Sequence, residues 1–198
     1  SDTSKGAIWE CPNFFKIGDY WVLIISAHTG TRTDTVHYFV GEYQNLQFTP
    51  FSTGVLDYGC MYAPLSFIDD QGRRLLFGWL REERSNEALN QAGWAGVQSI
   101  PRVLGLDSQN RLTMNPVAEL ERIRGQHHYR EASRLDLPIS LDVGTSSLDI
   151  AVEFVPNGGD CGVVLAPSPA QEEALEVRYE AHSQKILIRK YGESPDIT

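Results

Sequence analysis

Short β-branched and aromatic runs, separated by turn residues at intervals of roughly ten, leave this chain little choice but an all-β fold. Tyr20 to Ser26 is one such run, opened by Gly18-Asp19. Val36 to Val40 is a second, and Gly41 is expected to end it. Leu65 to Ile68, a polar Asp69-Asp70-Gln71-Gly72 turn, and Arg73 to Trp79 read as a hairpin. Val97 to Leu106 and Arg111 to Met114, around Asp107-Ser108-Gln109-Asn110, read as another. Ser147 to Phe154, Ala174 to Tyr179 and Lys185 to Lys190 alternate polar and apolar residues, the pattern of half-buried antiparallel strands. Gly162 to Ala166 is a short apolar run. Glu119 to Arg124 is the one place that reads as a helical turn, just after Pro116. Periodicity alone does not separate a β-propeller from a β-sandwich.

Charge and cysteine content narrow the possible partners. The 198 residues carry a formal charge of −9, which argues against nucleic acid or an anionic membrane as the main partner. No apolar run is long enough to span a membrane, and no signal peptide is visible in these residues. Cys11, Cys60 and Cys161 are an odd number without metal spacing, and are expected as free, buried thiols. His127-His128 is an adjacent pair that a strand would point to opposite faces, so no metal site is expected there. His28, His37 and His182 are expected at solvated strand or loop edges.

One carboxylate stands in unusual company. Trp9-Glu10-Cys11-Pro12-Asn13-Phe14-Phe15 sets Glu10 among apolar neighbours. Such a setting is expected to disfavour its charged form and to keep it protonated as a proton donor. Taken alone, Glu10 reads more readily as a surface residue beside a core tryptophan.

Four ordered blocks and an exit segment give that stretch a context. Trp9-Glu10-Cys11-Pro12 resembles the acid/base motif of glycoside hydrolase family 32, the β-fructofuranosidases, invertases and fructanases. Asp57-Tyr58-Gly59-Cys60-Met61-Tyr62-Ala63-Pro64 is similar to its D-Y-G-x-x-Y-A segment. Arg73 to Glu82 is similar to its R-R-I-L-W-G-W-x-x-E strand, and Gly93 to Arg102 to its G-W-x-G-x-Q-x-I-P-R segment. Leu112, Pro116-Val117, Glu119-Leu120 and Arg122-Ile123-Arg124 are similar to the family's exit from the catalytic domain. The resemblance covers the later part of the family's chain only. Its nucleophilic aspartate and its R-D-P motif have no counterpart here.

The resemblance implies the late blades of a five-bladed β-propeller over residues 1–120, a linker over 121–135, and the start of a C-terminal β-sandwich over 136–198. It implies hydrolysis of terminal β-fructofuranosidic bonds of sucrose or fructans with retention, Glu10 serving as general acid/base and the nucleophile absent from this chain. Tyr62, Trp79, Tyr58, Glu82 and Asp57 are the candidate substrate-binding residues. It implies no cofactor and no metal. Asn13 stands where the family often has aspartate, and is expected to alter the charge beside Glu10. Open blades would expose strand edges, implying self-association or a chain supplying the missing N-terminal blades. A non-catalytic, truncated sugar-binding or structural partner protein is the alternative.

Overall fold

Twelve strands account for most of the regular structure in the computed structural model, which describes residues 8–28, 33–82, 84–135, 137–145, 147–165 and 174–191. The chain divides into two units, residues 1–122 and 123–198.

The first unit holds two antiparallel sheets. One is a meander of β1 (Ile8–Ile17), β2 (Tyr20–His28), β3 (Thr33–Gln44) and β4 (Gln47–Asp57) in sequential order. The other runs β5 (Met61–Ile68), β6 (Arg74–Leu80), β8 (Arg102–Leu106) and β9 (Leu112–Pro116), with β7 (Val97–Gln98) also paired to β6. Phe15, Val22, Ile24, Val36, Val40 and Leu56 of the first sheet pack with Met61, Leu76 and Leu104 of the second. The odd residues of β2 point the other way, and Ile25 and Ala27 form a second cluster with Phe39. β2 is therefore apolar on both faces.

Both hairpins expected from the sequence form, although Ser99 to Pro101 split the second one's first arm into β7 and β8. Gly41 does not end β3. The strand continues to Gln44 through a register shift at Val40/Gly41. A Cβ there would meet Thr49 and Pro50, with Pro50 Cα at 2.7 Å, so glycine lets two backbones approach closely. Helix α1 (Asn86–Ala92) is capped by Ser85, whose side chain accepts from the Ala88 amide, and ends on Gly93 at φ 74°. The turn after Pro116 is a 3₁₀ helix over Ala118–Ile123.

The two sheets share a device that hydrophobic periodicity conceals. Each begins with an edge strand broken by an X-Pro pair: Cys11-Pro12 in β1 and Ala63-Pro64 in β5. Proline cannot donate to the ladder, so each strand bulges there. Register shifts fall between Glu10 and Asn13 and between Tyr62 and Leu65. The residue before each proline is left-handed, Cys11 at φ 47° and Ala63 at φ 46°. Glu10 and Tyr62, 52 residues apart, thus hold equivalent positions in successive sheets.

The second unit contains a three-stranded antiparallel sheet, β10 (Cys161–Leu165), β11 (Ala174–Glu180) and β12 (Lys185–Tyr191). These match three of the runs expected from the sequence, save that Ala166 lies outside the described residues. Ser147 to Phe154 alternates as a strand would, yet no strand forms there. Leu148, Ile150, Val152 and Phe154 are exposed, and among the described residues no neighbouring strand is paired with the segment to complete a ladder.

Candidate active site

Glu10 lies on β1 opposite Ser26 of β2, on the face that meets the second sheet. The bulge at Cys11-Pro12 restarts the ladder with Asn13 opposite Ile24, so Glu10 and Asn13 share that face despite being three residues apart. Trp9 takes the other face and its ring lies 5.5 Å from that of Phe39. The tryptophan expected to desolvate Glu10 is on the wrong side of the sheet to do so.

Two side chains hold the Glu10 carboxylate. The Tyr62 hydroxyl donates to Oε2 at 3.0 Å, and His28 Nε2 lies 3.3 Å from Oε1. The Glu10 side chain is 44% exposed. The expectation of a protonated, desolvated glutamate is therefore corrected. The hydrogen bond from Tyr62, then that from His28, hold this carboxyl below its ordinary value, and the weak desolvation acting upward does not offset them. Tyr62 is the mirror case. It is buried, and burial first, then its bond to the Glu10 carboxylate, push its hydroxyl up to about 12, so it stays a donor.

Ser26 explains why Tyr62 stands there. It is fully buried, and its Oγ accepts the Ala63 amide at 2.9 Å. That bond ties β2 of the first sheet to the bulge of the second, immediately after Tyr62. Arg81 caps the other side of the ring, its Cζ 5.4 Å from the Tyr62 centroid and its Nε donating to the Cys60 carbonyl at 3.2 Å.

The remaining candidates divide into two groups. Trp79 is the cross-strand partner of Tyr62, and its ring is 48% exposed along an open groove with Ala63, Leu65, Phe77, Val97 and Gln98. Its indole sits so close to Gly96, at φ +64°, that no side chain fits at that position. Glu82 holds the loop that carries Gly96. It accepts the Gly96 amide at 3.0 Å and the Arg84 guanidinium at 2.9 and 2.7 Å, and Arg84 in turn lies 4.0 Å over the Trp94 ring. The structure thus brings Glu10, Tyr62 and Trp79 into one run of neighbours, with Glu82 supporting Trp79 from behind.

Asp57 and Tyr58 are placed differently. Asp57 closes a turn by accepting the Gly59 amide at 2.8 Å and pairs with Arg102 at 2.9 Å, joining the ends of the two sheets. Tyr58 is 92% exposed in that turn. Asn13 does not modify Glu10 directly, since its Oδ1 accepts the Ser66 hydroxyl at 2.5 Å. Of the cysteines, all free, Cys11 is exposed and the other two half-buried, against the expectation of buried thiols.

His28 was missed by sequence reasoning, which put it at a solvated edge; its side chain is 14% exposed. The signal was its parity with Ser26 on β2. That parity means nothing until the register sets Ser26 opposite Glu10.

Comparison with known proteins points to one family. The model of the glycosyl hydrolases family 32 N-terminal domain matches residues 1–116. The sucrose-6-phosphate hydrolase of Staphylococcus xylosus is 35% identical over 129 residues, covering 60% of this chain and 26% of that enzyme. The insoluble isoenzyme 2 β-fructofuranosidase of Daucus carota is 31% identical over 202 residues, covering 87% and 34%. Fructan 1-exohydrolase IIa from Cichorium intybus superposes with a TM-score of 0.52 at 29% identity, over 60% of this chain and 26% of that structure. The β-fructofuranosidase of Schwanniomyces occidentalis gives 0.66 at 19% identity over 92% and 42%, a likeness of fold. These solved structures are β-propellers with a β-sandwich, and the present chain is all-β like them. It spans between 26% and 41% of the length of such curated relatives.

Proposed function

Because the chain belongs to glycosyl hydrolases family 32, we propose that it carries the acid/base half of a retaining β-fructofuranosidase site, with Glu10 as the acid/base. The observation that carries this reading is the Glu10 carboxylate itself. It is open to solvent along one side and is held at both oxygens by side chains from β2 and β5. In the first step Glu10 gives its proton to the oxygen joining fructose C2 to the leaving group as that bond breaks. In the second, the ionised Glu10 takes a proton from the water that attacks C2 and frees the fructose.

Retention requires a second carboxylate about 5 Å away as nucleophile. No motif among the 198 residues matches it, so the reading assigns it to polypeptide outside them. That requirement also bears on protonation. Tyr62 and His28 favour the ionised form of Glu10, whereas the first step needs the acid. A neighbouring carboxylate acts in the opposite direction, since two like charges at that separation disfavour ionising both. The nucleophile therefore attacks and, by its charge, keeps the acid loaded.

Trp79, across the ladder from Tyr62, supplies an apolar platform for a sugar ring, and Glu82 holds the loop packed behind it. On the same reading, residues 1–120 are late propeller blades, 121–135 a linker and 136–198 the beginning of a sandwich. Terminal β-fructofuranosides such as sucrose and fructans are the substrate class, the class named by the relatives. The test is fructose release from sucrose and from inulin by protein that contains this chain and the second carboxylate, beside its Glu10→Gln variant. Release that the variant abolishes is expected. Undiminished release from the variant would overturn the assignment.

A further inference from the structure

The second hydrogen-bonding partner of Glu10 has no counterpart in the motifs that carry the family resemblance. His28 ends β2, two residues beyond Ser26, on the same face of the sheet. Because Ser26 stands directly opposite Glu10, His28 is its diagonal neighbour, a separation that a glutamate and a histidine span together. The contact is Nε2 to Oε1 at 3.3 Å, and the imidazole is mostly buried. Tyr62 occupies the other oxygen from the opposite sheet.

We propose that His28 is a positioning residue for Glu10, pinning Oε1 while Tyr62 pins Oε2, so that the plane of the carboxylate is fixed and one edge is left for substrate. A carboxylate held at one oxygen still turns about its terminal torsions; held at both from different strands, it does not. Histidine also gives the contact a dependence on pH that an amide donor would lack, because the ring gains a full charge on protonation. The groups facing Glu10 are His28 from β2 and Tyr62 from β5 with the Arg81 guanidinium near its ring, while Cys11, the next residue on β1, acts on the Tyr62 hydroxyl. The proposal rests on the acid/base reading of Glu10 for its importance to catalysis. The contact itself is independent of that reading.

The test follows the two groups by NMR on the chain itself, without substrate. The side-chain carboxyl carbon of Glu10 is assigned by its absence in Glu10→Gln. The His28 ring signals are expected to show an extra step where Glu10 titrates, and to lose that step in Glu10→Gln, an exposed and structurally mild change. In His28→Leu, which offers no donor, the Glu10 midpoint is expected to move upward. His28→Gln restores an N–H donor and should return the midpoint toward the wild-type value. A His28 profile identical in wild type and Glu10→Gln would overturn the proposal, and so would an unmoved Glu10 midpoint in His28→Leu. Neither result would touch the hydrolase reading, which fails only if fructose release survives loss of Glu10.

Discussion

Replacing Ser26 with alanine removes one oxygen from the hydrogen bond that joins the two sheets beside Tyr62. Ser26 is 0% exposed, and its Oγ receives the Ala63 amide across the two sheets at 2.9 Å. The variant has no group to replace it, and the amide sits in a left-handed bulge that the chain cannot reshape without moving Pro64. A buried donor stripped of its partner costs about 1–3 kcal/mol. Against a typical domain stability of roughly 5–15 kcal/mol this is a large share. With a denaturant slope of about 1.5 kcal/mol/M, the urea midpoint should fall by roughly 0.7–2 M at constant slope. All four tryptophans, Trp9, Trp21, Trp79 and Trp94, lie in the first unit, so their fluorescence reads that unit alone. A loss below about 0.5 kcal/mol, the level of an ordinary surface change, would show that Ser26 does not anchor the Tyr62 bulge.

Three further outcomes follow from the same contacts. Glu82→Gln weakens the hold on Arg84 and on the Gly96 amide, so Trp94 emission should shift to the red, and unchanged emission would refute the loop clamp. Gly78→Ala puts a Cβ 2.6 Å from Cγ of the buried Met61 and should cost about 1–3 kcal/mol by overpacking, seen as a lower thermal midpoint. Glu10, Asp107 and Glu119 are all held below their ordinary values, by bonds chiefly from Tyr62, the Arg111 backbone and Arg73 respectively. Depressed carboxylates stabilise the fold fully above the unfolded values of 3.8 to 4.5, and that stability drains away as pH falls below them. Urea midpoints should therefore be lower at pH 3 than at pH 6, and equal midpoints would contradict the shifts.

Legibility in the sequence followed hydrophobic period and turn chemistry. β2, β5, β6 and the β11–β12 pair were visible because their apolar residues alternate or cluster between polar turns. β1 and β4 were not read as strands; each holds a proline, Pro12 and Pro50, at a register shift where the ladder bulges without ending. Gly41 misled for the same reason: a glycine that permits close strand approach looks like one that ends a strand. Ser147 to Phe154 has the correct period, but a strand also needs a paired neighbour, which local pattern does not reveal.

For the site, the motif found Glu10 and Tyr62, while their mutual hydrogen bond depends on two bulges in separate sheets. The charge state of Glu10 was misread because adjacency in sequence was taken for adjacency in space. Along a strand Trp9 and Glu10 face opposite ways, and the groups that set the carboxyl come from residues 28 and 62. His28 was invisible until the β1–β2 register was known.

The most direct test of Glu10 as the proton donor is its dependence on the leaving group. In protein that contains this chain and the second carboxylate, Glu10→Ala should be compared with wild type on sucrose and on an aryl β-fructofuranoside whose phenolate departs without protonation. The account predicts a loss on sucrose of about 10²–10⁴-fold, the usual worth of a general acid, and a far smaller loss in the fructosylation step on the aryl substrate. Equal losses on both would mean that Glu10 shapes the site without donating the proton.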